Sequence, residues 1–381
     1  MKYYLVVGEP SGDMYGAMLM KHIAKLDPNA EFRFWGGHLM EQVGGTQINS
    51  IDNRAFMGIW EVLANLSQLK KNFTLFKNDL AAYMPDALIL IDYPGFNLRV
   101  APYAHELGIP IHYYIAPKVW AWNAKRVKKI QKYVSYLYTI FPFETSFFSK
   151  HHISVDYVGN PIVDKIQEFK PHSQTLQNLK EGKPIIALLP GSRKMELKHV
   201  LPIMCSVISH FPNYRFVIAG APNFNAETFN VLFNNHKVEV LYGKTYEILS
   251  VAKLALVTSG TATLETALWN VPQVVCYKFS AISYNLVKAL IKVPYISLVN
   301  LILNKPLVPE LIQNKLTTEG LINQMNQLIE GKSGEEIKKG YAALRVVVGG
   351  GGATQKVAEL IYNRTSKPNS VNEHSTNKPV T

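Results

Sequence analysis

The chain has 381 residues and 48% hydrophobic content, enough for two domain cores of roughly 150–200 residues each and too long for one ordinary domain. Its 40 Lys and Arg outnumber 28 Asp and Glu, a formal charge of +12, so the expected partner is acidic: nucleic acid, an anionic membrane surface or a phosphorylated substrate. Two cysteines, Cys205 and Cys276, lie far apart in apolar surroundings; they exclude a disulfide framework and a cysteine metal site, and read as buried thiols of a reducing compartment.

In chain order, KYYLVVG predicts a strand, EPSGD a loop, and a helix follows from about Met14 to Lys25. The opening shows no signal-peptide pattern, so a cytoplasmic location is expected. EFRFWGG is the next strand. A long amphipathic helix spans about Gly58 to Met84, with Ile59, Val62, Leu63, Leu66, Leu69, Phe73, Phe76 and Leu80 at helical spacing; it either covers the sheet or offers an apolar side to lipid. ALILIDY and IPIHYYIAP are strands buried on both faces. The basic helix AKRVKKIQKYV leads to YLYTIF, a short helix and VDYVGNP.

Between about Asp164 and Lys183 the chain turns polar, and the rhythm then restarts with PIIALLPGSR, YRFVIAG, VEVLYG, LALVTSG and QVVCYK, each followed by a helical segment. Alternating strand and helix with continuous apolar strands means parallel, doubly wound α/β sheets. Two Rossmann-like domains joined by a linker are expected, 1–165 and 166–348, with a helix over 349–364 and a disordered tail over 365–381. The default site is the cleft between them, beyond the carboxyl ends of the strands. The apolar stretch LIKVPYISLVNLILNKPLVPELI is broken by Lys, Asn and Pro and does not span a bilayer.

Four places carry chemistry. The loop GEPSGD offers Glu9, Ser11 and Asp13 beside a helix start, as an anion or sugar site or as a plain turn in which Asp13 caps the helix. LIDYPGFN puts Asp92 at the end of a core strand, where desolvation suits a carboxylate to general-base work; the alternative is a turn cap before Pro94. YIAPKVWAWNAKRVKKIQKYV joins Trp120 and Trp122 to Lys118, Lys125, Arg126, Lys128, Lys129 and Lys132, suited to an anionic amphiphile or membrane surface, or simply a solvated face. LLPGSR and VTSGTATLE are two strand–loop–helix transitions in one half. Arg193, after Ser192, would neutralise a diphosphate. Ser259, Gly260, Thr261 and Thr263 would let amides approach it, and Glu265 would take a ribose.

GEPSGD, MGIWEVL, IDYPGFN, VWAW, FPFE, VGNP, LLPGSR, SGTATLE and LVNLIL…VPELIQ follow the order and spacing of the lipid-A-disaccharide synthases, and from about Tyr4 to Tyr362 the chain resembles that family. The resemblance implies a GT-B fold of two Rossmann-like domains facing across a cleft, with the C-terminal helix packing back on the N-terminal domain. It implies an inverting transfer from UDP-2,3-diacylglucosamine to 2,3-diacylglucosamine 1-phosphate (lipid X) giving a β(1→6) disaccharide and UDP, with neither metal nor cofactor. Asp92 matches the proposed base, and Arg193, Ser259, Gly260, Thr261 and Glu265 match nucleotide-binding positions. Asn300 and Gln313 match polar residues of the late donor-side motif. It further implies association with the cytoplasmic face of an anionic inner membrane, and a C-terminal segment, ATQKVAELIY here, able to cross over in a swapped homodimer. Gly95 stands where many relatives have Asp, Ala116 and Lys118 replace common serines, and Asn160 replaces a common His.

Two other readings compete. Another GT-B enzyme acting on UDP-N-acetylglucosamine, a 2-epimerase or a lipid-linked glycosyltransferase, would share the fold. A basic nucleic-acid-binding protein would explain the charge, but no RNP, helix-turn-helix or zinc signature is present and Asp92 and Glu265 would go unexplained, so no nucleic-acid partner is expected.

Overall fold

The computed structural model describes residues 1–51, 66–120, 126–221, 224–225, 229, 238–278 and 293–367. Two compact units emerge, Met1–Pro161 with Gly351–Thr381, and Ile162–Gly350. The boundary thus falls at 161/162 rather than 165/166, and the polar stretch read as a linker carries helices Pro161–Glu168 and Ser173–Lys180.

The first unit is built on seven strands: β1 (Lys2–Val6), β2 (Glu31–Gly36), β3 (Thr46–Ser50), β4 (Ala87–Ile91), β5 (Ile111–Tyr114), β6 (Tyr136–Thr139) and β7 (Asp156–Tyr157). Their order is β3-β2-β1-β4-β5-β6-β7, every pair parallel. Central strands such as ALILI are buried at every residue, which is why they read as unbroken apolar runs. Chain order reverses between β1 and β4, so the loops after these two strands diverge and leave a crevice at their carboxyl ends. β3, sequence TQINS, was not expected: as a polar edge strand it lacks the apolar signature.

Of the long amphipathic helix, Leu66–Tyr83 is described and residues 58–65 lie outside the described residues. Phe76 and Leu80 are fully buried, and Phe76 meets Tyr4 and Trp35 edge-on at 5.6 and 5.8 Å, so this part of the helix covers the sheet. The glycine run before the last helix takes left-handed backbone at Gly349, Gly351 and Gly352 (φ +90, +98 and +78), which ends one helix and redirects the chain. The helix Ala353–Ser366 then joins the first unit, burying Ala353, Thr354, Val357, Ala358 and Ile361. It runs past residue 364, so Thr365 and Ser366 are helical rather than tail; residues 368–381 lie outside the described residues.

The second unit holds β8 (Ile185–Leu189), β9 (Arg215–Gly220), β10 (Glu239–Tyr242), β11 (Ala252–Thr258), β12 (Gln273–Tyr277) and β13 (Glu310–Ile312), all parallel in the order β10-β9-β8-β11-β12-β13. β13, three residues long, was not foreseen either. The reversal here lies between β8 and β11, the strands that carry the LPGSR and TSG loops. Cys205 and Cys276 are buried and free. Among the described residues no helix is long and apolar enough to cross a membrane.

Candidate active site

In the first unit the site is organised around the end of β4. Asp92 and Tyr93 both adopt left-handed backbone, φ +45 and +47, before the helix Pro94–Glu106 begins. A non-glycine residue in this region costs roughly 1–2 kcal/mol, so the turn has to be held. Asp92 N–H donates to the Tyr114 carbonyl at 3.1 Å. The Asp92 carbonyl accepts from Tyr113 Oη at 2.6 Å and from Asn97 Nδ2 at 2.8 Å. On the β1 side, a Cβ at Gly8 would run into the ring of Tyr93. Asp92 is half-buried; loss of hydration pushes its carboxyl above the ordinary range, against the pull of Lys118 and the Tyr93 amide. This is a carboxylate fixed on a strained turn at the topological switch point.

The first loop is arranged differently from the expectation. Glu9 caps the helix Pro10–Leu26 through its backbone, and Ser11 is exposed on the first turn. Asp13 is buried and points to another element. Its Oδ1 accepts from the amides of Gly37 (2.7 Å) and Met40 (3.2 Å), its Oδ2 from Leu39 (3.0 Å). Asp13 therefore caps the helix His38–Val43 rather than its own, and its carboxylate is held inside the protein.

Beyond β5 and β6 lies a cluster that sequence reasoning missed. Glu144 is fully buried, with Oε1 accepting from Trp120 Nε1 at 2.9 Å and Oε2 from the amides of Ile140 and Phe141 at 3.1 and 3.0 Å. Burial pushes its carboxyl up to about 7, opposed by these donors and by Lys118. Trp120 stands edge-on to Phe143 at 4.8 Å, and Phe143 stacks on Phe141 at 5.6 Å. Trp122 and Lys125 lie outside the described residues. FPFE was visible as a motif, but nothing in it announced that Glu144 clamps an indole 24 residues away.

In the second unit β8 and β11 are paired, Leu189 beside Val257, so the two Gly-containing loops emerge side by side. Gly191 has φ +99, and Arg193 is the N-cap residue of the helix Lys194–Cys205 with an exposed guanidinium. Glu196, one turn in, occupies the loop: its Oε2 accepts from the amides of Ser192 (3.1 Å) and Arg193 (3.3 Å), and its Oε1 lies 3.5 Å from Arg193 Nη1. Here a carboxylate sits on the donors that the sequence reading assigned to phosphate.

Across the pair, Gly260 caps the helix Thr261–Leu268 with φ +150, a conformation glycine favours. Gly260 and Thr261 are exposed, and the first amides of a helix lack intrahelical acceptors, which suits an anion. Ser259 Oγ donates to the Ile296 carbonyl at 2.7 Å, and Thr263 Oγ1 to the Gly260 carbonyl at 2.8 Å. Glu265 Oε1 accepts from Lys165 Nζ at 3.1 Å and Tyr246 Oη at 2.5 Å, with the ammonium 4.5 Å above the Tyr246 ring. Neither Lys165 nor Tyr246 was anticipated.

The late motif divides. Asn300 is buried with its amide fully engaged: Nδ2 donates to the Val308 carbonyl and to Glu310 Oε1, both at 2.9 Å, and Oδ1 accepts from Val308 N–H at 2.9 Å. It braces the turn before β13. Gln313, just beyond β13, has φ +53, and its Nε2 is buried with no hydrogen-bond partner. Among the described residues no three His, Cys, Asp or Glu side chains converge as a metal site.

A family profile described as lipid-A-disaccharide synthetase matches residues 3–357. The chain belongs to the lipid-A-disaccharide synthase family. It is 32% identical over 372 residues to the lipid-A-disaccharide synthase of Geobacter metallireducens, covering 95% of this chain and 97% of that one. It is 36% identical over 358 residues to lipid-A-disaccharide synthase 1 of Legionella pneumophila, covering 87% and 93%.

The fold is shared more widely than the family. UDP-GlcNAc 2-epimerase from Neisseria meningitidis, solved with UDP-GlcNAc, aligns with a TM-score of 0.60 at 15% identity over 95% of this chain and 100% of that one. The enzyme from Methanocaldococcus jannaschii, solved with UDP-GlcNAc and UDP, aligns at 0.62 and 13% over 95% and 100%. These likenesses show a common two-sheet α/β architecture of the GT-B class. As a lipid-A-disaccharide synthase, the chain is a glycosyltransferase taking a UDP-sugar and a lipid substrate.

Proposed function

We propose that the chain transfers the 2,3-diacylglucosaminyl group of its UDP donor, with inversion, to the 6-hydroxyl of 2,3-diacylglucosamine 1-phosphate, and that Asp92 is the base. The hydroxyl oxygen attacks the anomeric carbon as its proton passes to Asp92. The bond from that carbon to the UDP oxygen breaks and its electron pair leaves on the diphosphate. The observation that carries this reading is the Asp92 turn: a half-buried carboxylate, held left-handed by Tyr113 and Asn97 at a sheet switch point. Burial raises its proton affinity towards that of a useful base. Arg193, with the helix starts at Lys194 and Thr261, takes the charge growing on UDP; Glu265 and Gln313 take the nucleoside.

The protein works at the cytoplasmic face of the inner membrane, bound peripherally through the cations between Lys118 and Lys132. The crossover helix Ala353–Ser366 closes the first unit within one chain here, and its exchange between two copies is the dimer the family resemblance implies. Purified protein given UDP-diacylglucosamine and lipid X should release UDP and disaccharide 1-phosphate in equal amounts, read by mass spectrometry. Epimerisation of UDP-N-acetylglucosamine without disaccharide formation would overturn the reading.

A further inference from the structure

Glu265 is held through one of its two oxygens. Lys165 Nζ donates to Oε1 at 3.1 Å and Tyr246 Oη to the same oxygen at 2.5 Å, whereas Oε2 accepts no hydrogen bond among the described residues. The side chain is 14% exposed and Oε2 is not sealed from solvent, so a ligand can reach it. Several carboxylates elsewhere in the chain are engaged through both oxygens. Asp13 and Glu144 are, and so are Asp79, between Arg33 and Tyr4, and Glu310, which accepts from the amides of Ile296 and Ser297.

The two donors come from different elements, and packing fixes both. Lys165 lies on the helix Pro161–Glu168, and Glu265 is its one ion-pair partner among the described residues. Ile166 and Phe169, next to it on the chain, pack against the core of the second unit. Tyr246 is buried, with its ring edge-on to Phe169 at 5.2 Å and tilted against Trp269 at 5.7 Å. Phe169 and Trp269 meet edge-on at 5.8 Å, and the Lys165 ammonium covers the Tyr246 ring at 4.5 Å. Phenol and ammonium therefore reach Oε1 from fixed positions.

A carboxylate offers about four lone-pair sites, two on each oxygen. Two donors on Oε1 fill its share and leave two sites on Oε2, the number that the neighbouring 2′- and 3′-hydroxyls of a ribose require. An ion pair this open to water is screened and adds little to stability. Fixing a side chain before the ligand arrives, by contrast, spares the ordering cost at binding.

We propose that Lys165 and Tyr246 are positioning residues that make the donor site selective for a ribonucleoside diphosphate: by donating together to Oε1 they fix Glu265 and turn Oε2 towards the ribose diol. This rests on the reading of Glu265 as the ribose contact.

The test is calorimetry on the full-length protein with UDP and with 2′,3′-dideoxy-UDP, which keeps uracil and diphosphate and lacks both hydroxyls. Wild type should prefer UDP by at least about 10-fold, the scale of a hydrogen bond to a charged group. Lys165→Met keeps the apolar stem and Tyr246→Phe keeps the ring. Each should reduce that preference by about 3–10-fold with dideoxy-UDP affinity unchanged, because only the coupling to the diol is lost. Lys165 reaches the surface, so Lys165→Met decides alone if Tyr246→Phe does not fold. Glu265→Ala is the control. Equal binding of both ligands by wild type, or full preference in Glu265→Ala, would remove Glu265 from the ribose. If Glu265→Ala abolishes the preference but the two variants keep it, or weaken both ligands equally, Lys165 and Tyr246 only tie the helix Pro161–Glu168 to its unit and the proposal is overturned.

Discussion

Replacing Arg364 with methionine should loosen the crossover helix without disturbing the second unit. Arg364, in the last turn of Ala353–Ser366, reaches Asp156 of β7 through Nη1 at 2.6 Å and Nη2 at 3.2 Å, and Tyr138 Oη at 3.3 Å. Its guanidinium also lies 4.6 Å from the Tyr136 ring and 5.7 Å from that of Tyr138. The ion pair is part-exposed, 25% and 33% on its two side, so solvent screening places it between surface and buried pairs, at about 1–2 kcal/mol. Stacking on the two rings adds about 1 kcal/mol. Arg364→Met, which keeps the apolar stem, should therefore cost about 2–3 kcal/mol, or roughly 30–150-fold in local opening. A chain of two units is not a two-state system, so hydrogen exchange is the proper assay. Amides of residues 353–366 should lose protection by that factor while those of β8 and β11 stay unchanged. Equal protection in both proteins would mean that the buried face of Val357, Ala358 and Ile361 holds the helix alone, and would refute the latch.

Three further outcomes are expected. Arg193→Ala should lower kcat/KM by about 2–3 kcal/mol, the scale of a lost charge-assisted contact, with Arg193→Lys recovering only part; wild-type UDP affinity and turnover in Arg193→Ala would remove Arg193 from the donor site. His112, fully buried, is pushed down to about 3 by burial and by Arg364, so it stays neutral in the fold while the unfolded chain takes up a proton below about 6.5. Stability from this group is then complete above pH 6.5 and falls by about 1.4 kcal/mol per unit as pH drops towards 3; His112→Phe should flatten thermal midpoints over that window, and an unchanged slope would contradict it. Membrane fractions washed in high salt should release much of the protein, because each cation near an anionic surface contributes about 1 kcal/mol that salt screens; release by detergent alone would point to apolar insertion instead.

What could be read from the sequence follows from where each signal resides. Strands such as ALILI and IIALL are legible because burial on both faces demands unbroken apolar runs. TQINS and ELI are not, since the first is a polar edge strand and the second three residues long, and both are defined by pairing partners rather than by their own pattern. Asp92 is conspicuous as a carboxylate closing such a run. Asp13 was read as part of an anion or sugar loop or as the cap of its own helix, but the amides of Gly37, Leu39 and Met40 that claim it come from a helix its loop does not announce. Glu144 was overlooked for the same reason: its partners are Trp120 and two backbone amides. Asn300 matched a donor-side motif, yet its amide braces the turn between Val308 and Glu310. Local chemistry is written in the chain, whereas the residues that hold a site are chosen by register.

In the proposed reaction Asp92 takes the proton of the acceptor hydroxyl. Asp92→Asn keeps the shape of the left-handed turn and removes the basic oxygen. The measurement is kcat for disaccharide formation alongside UDP affinity by calorimetry on the same preparation. General-base assistance of this kind is worth about 10²–10⁴-fold, so kcat should fall by that range with UDP binding near wild type. UDP binding that collapses together with the rate would make Asp92 a turn element, and an unchanged kcat would show that the proton leaves by another route.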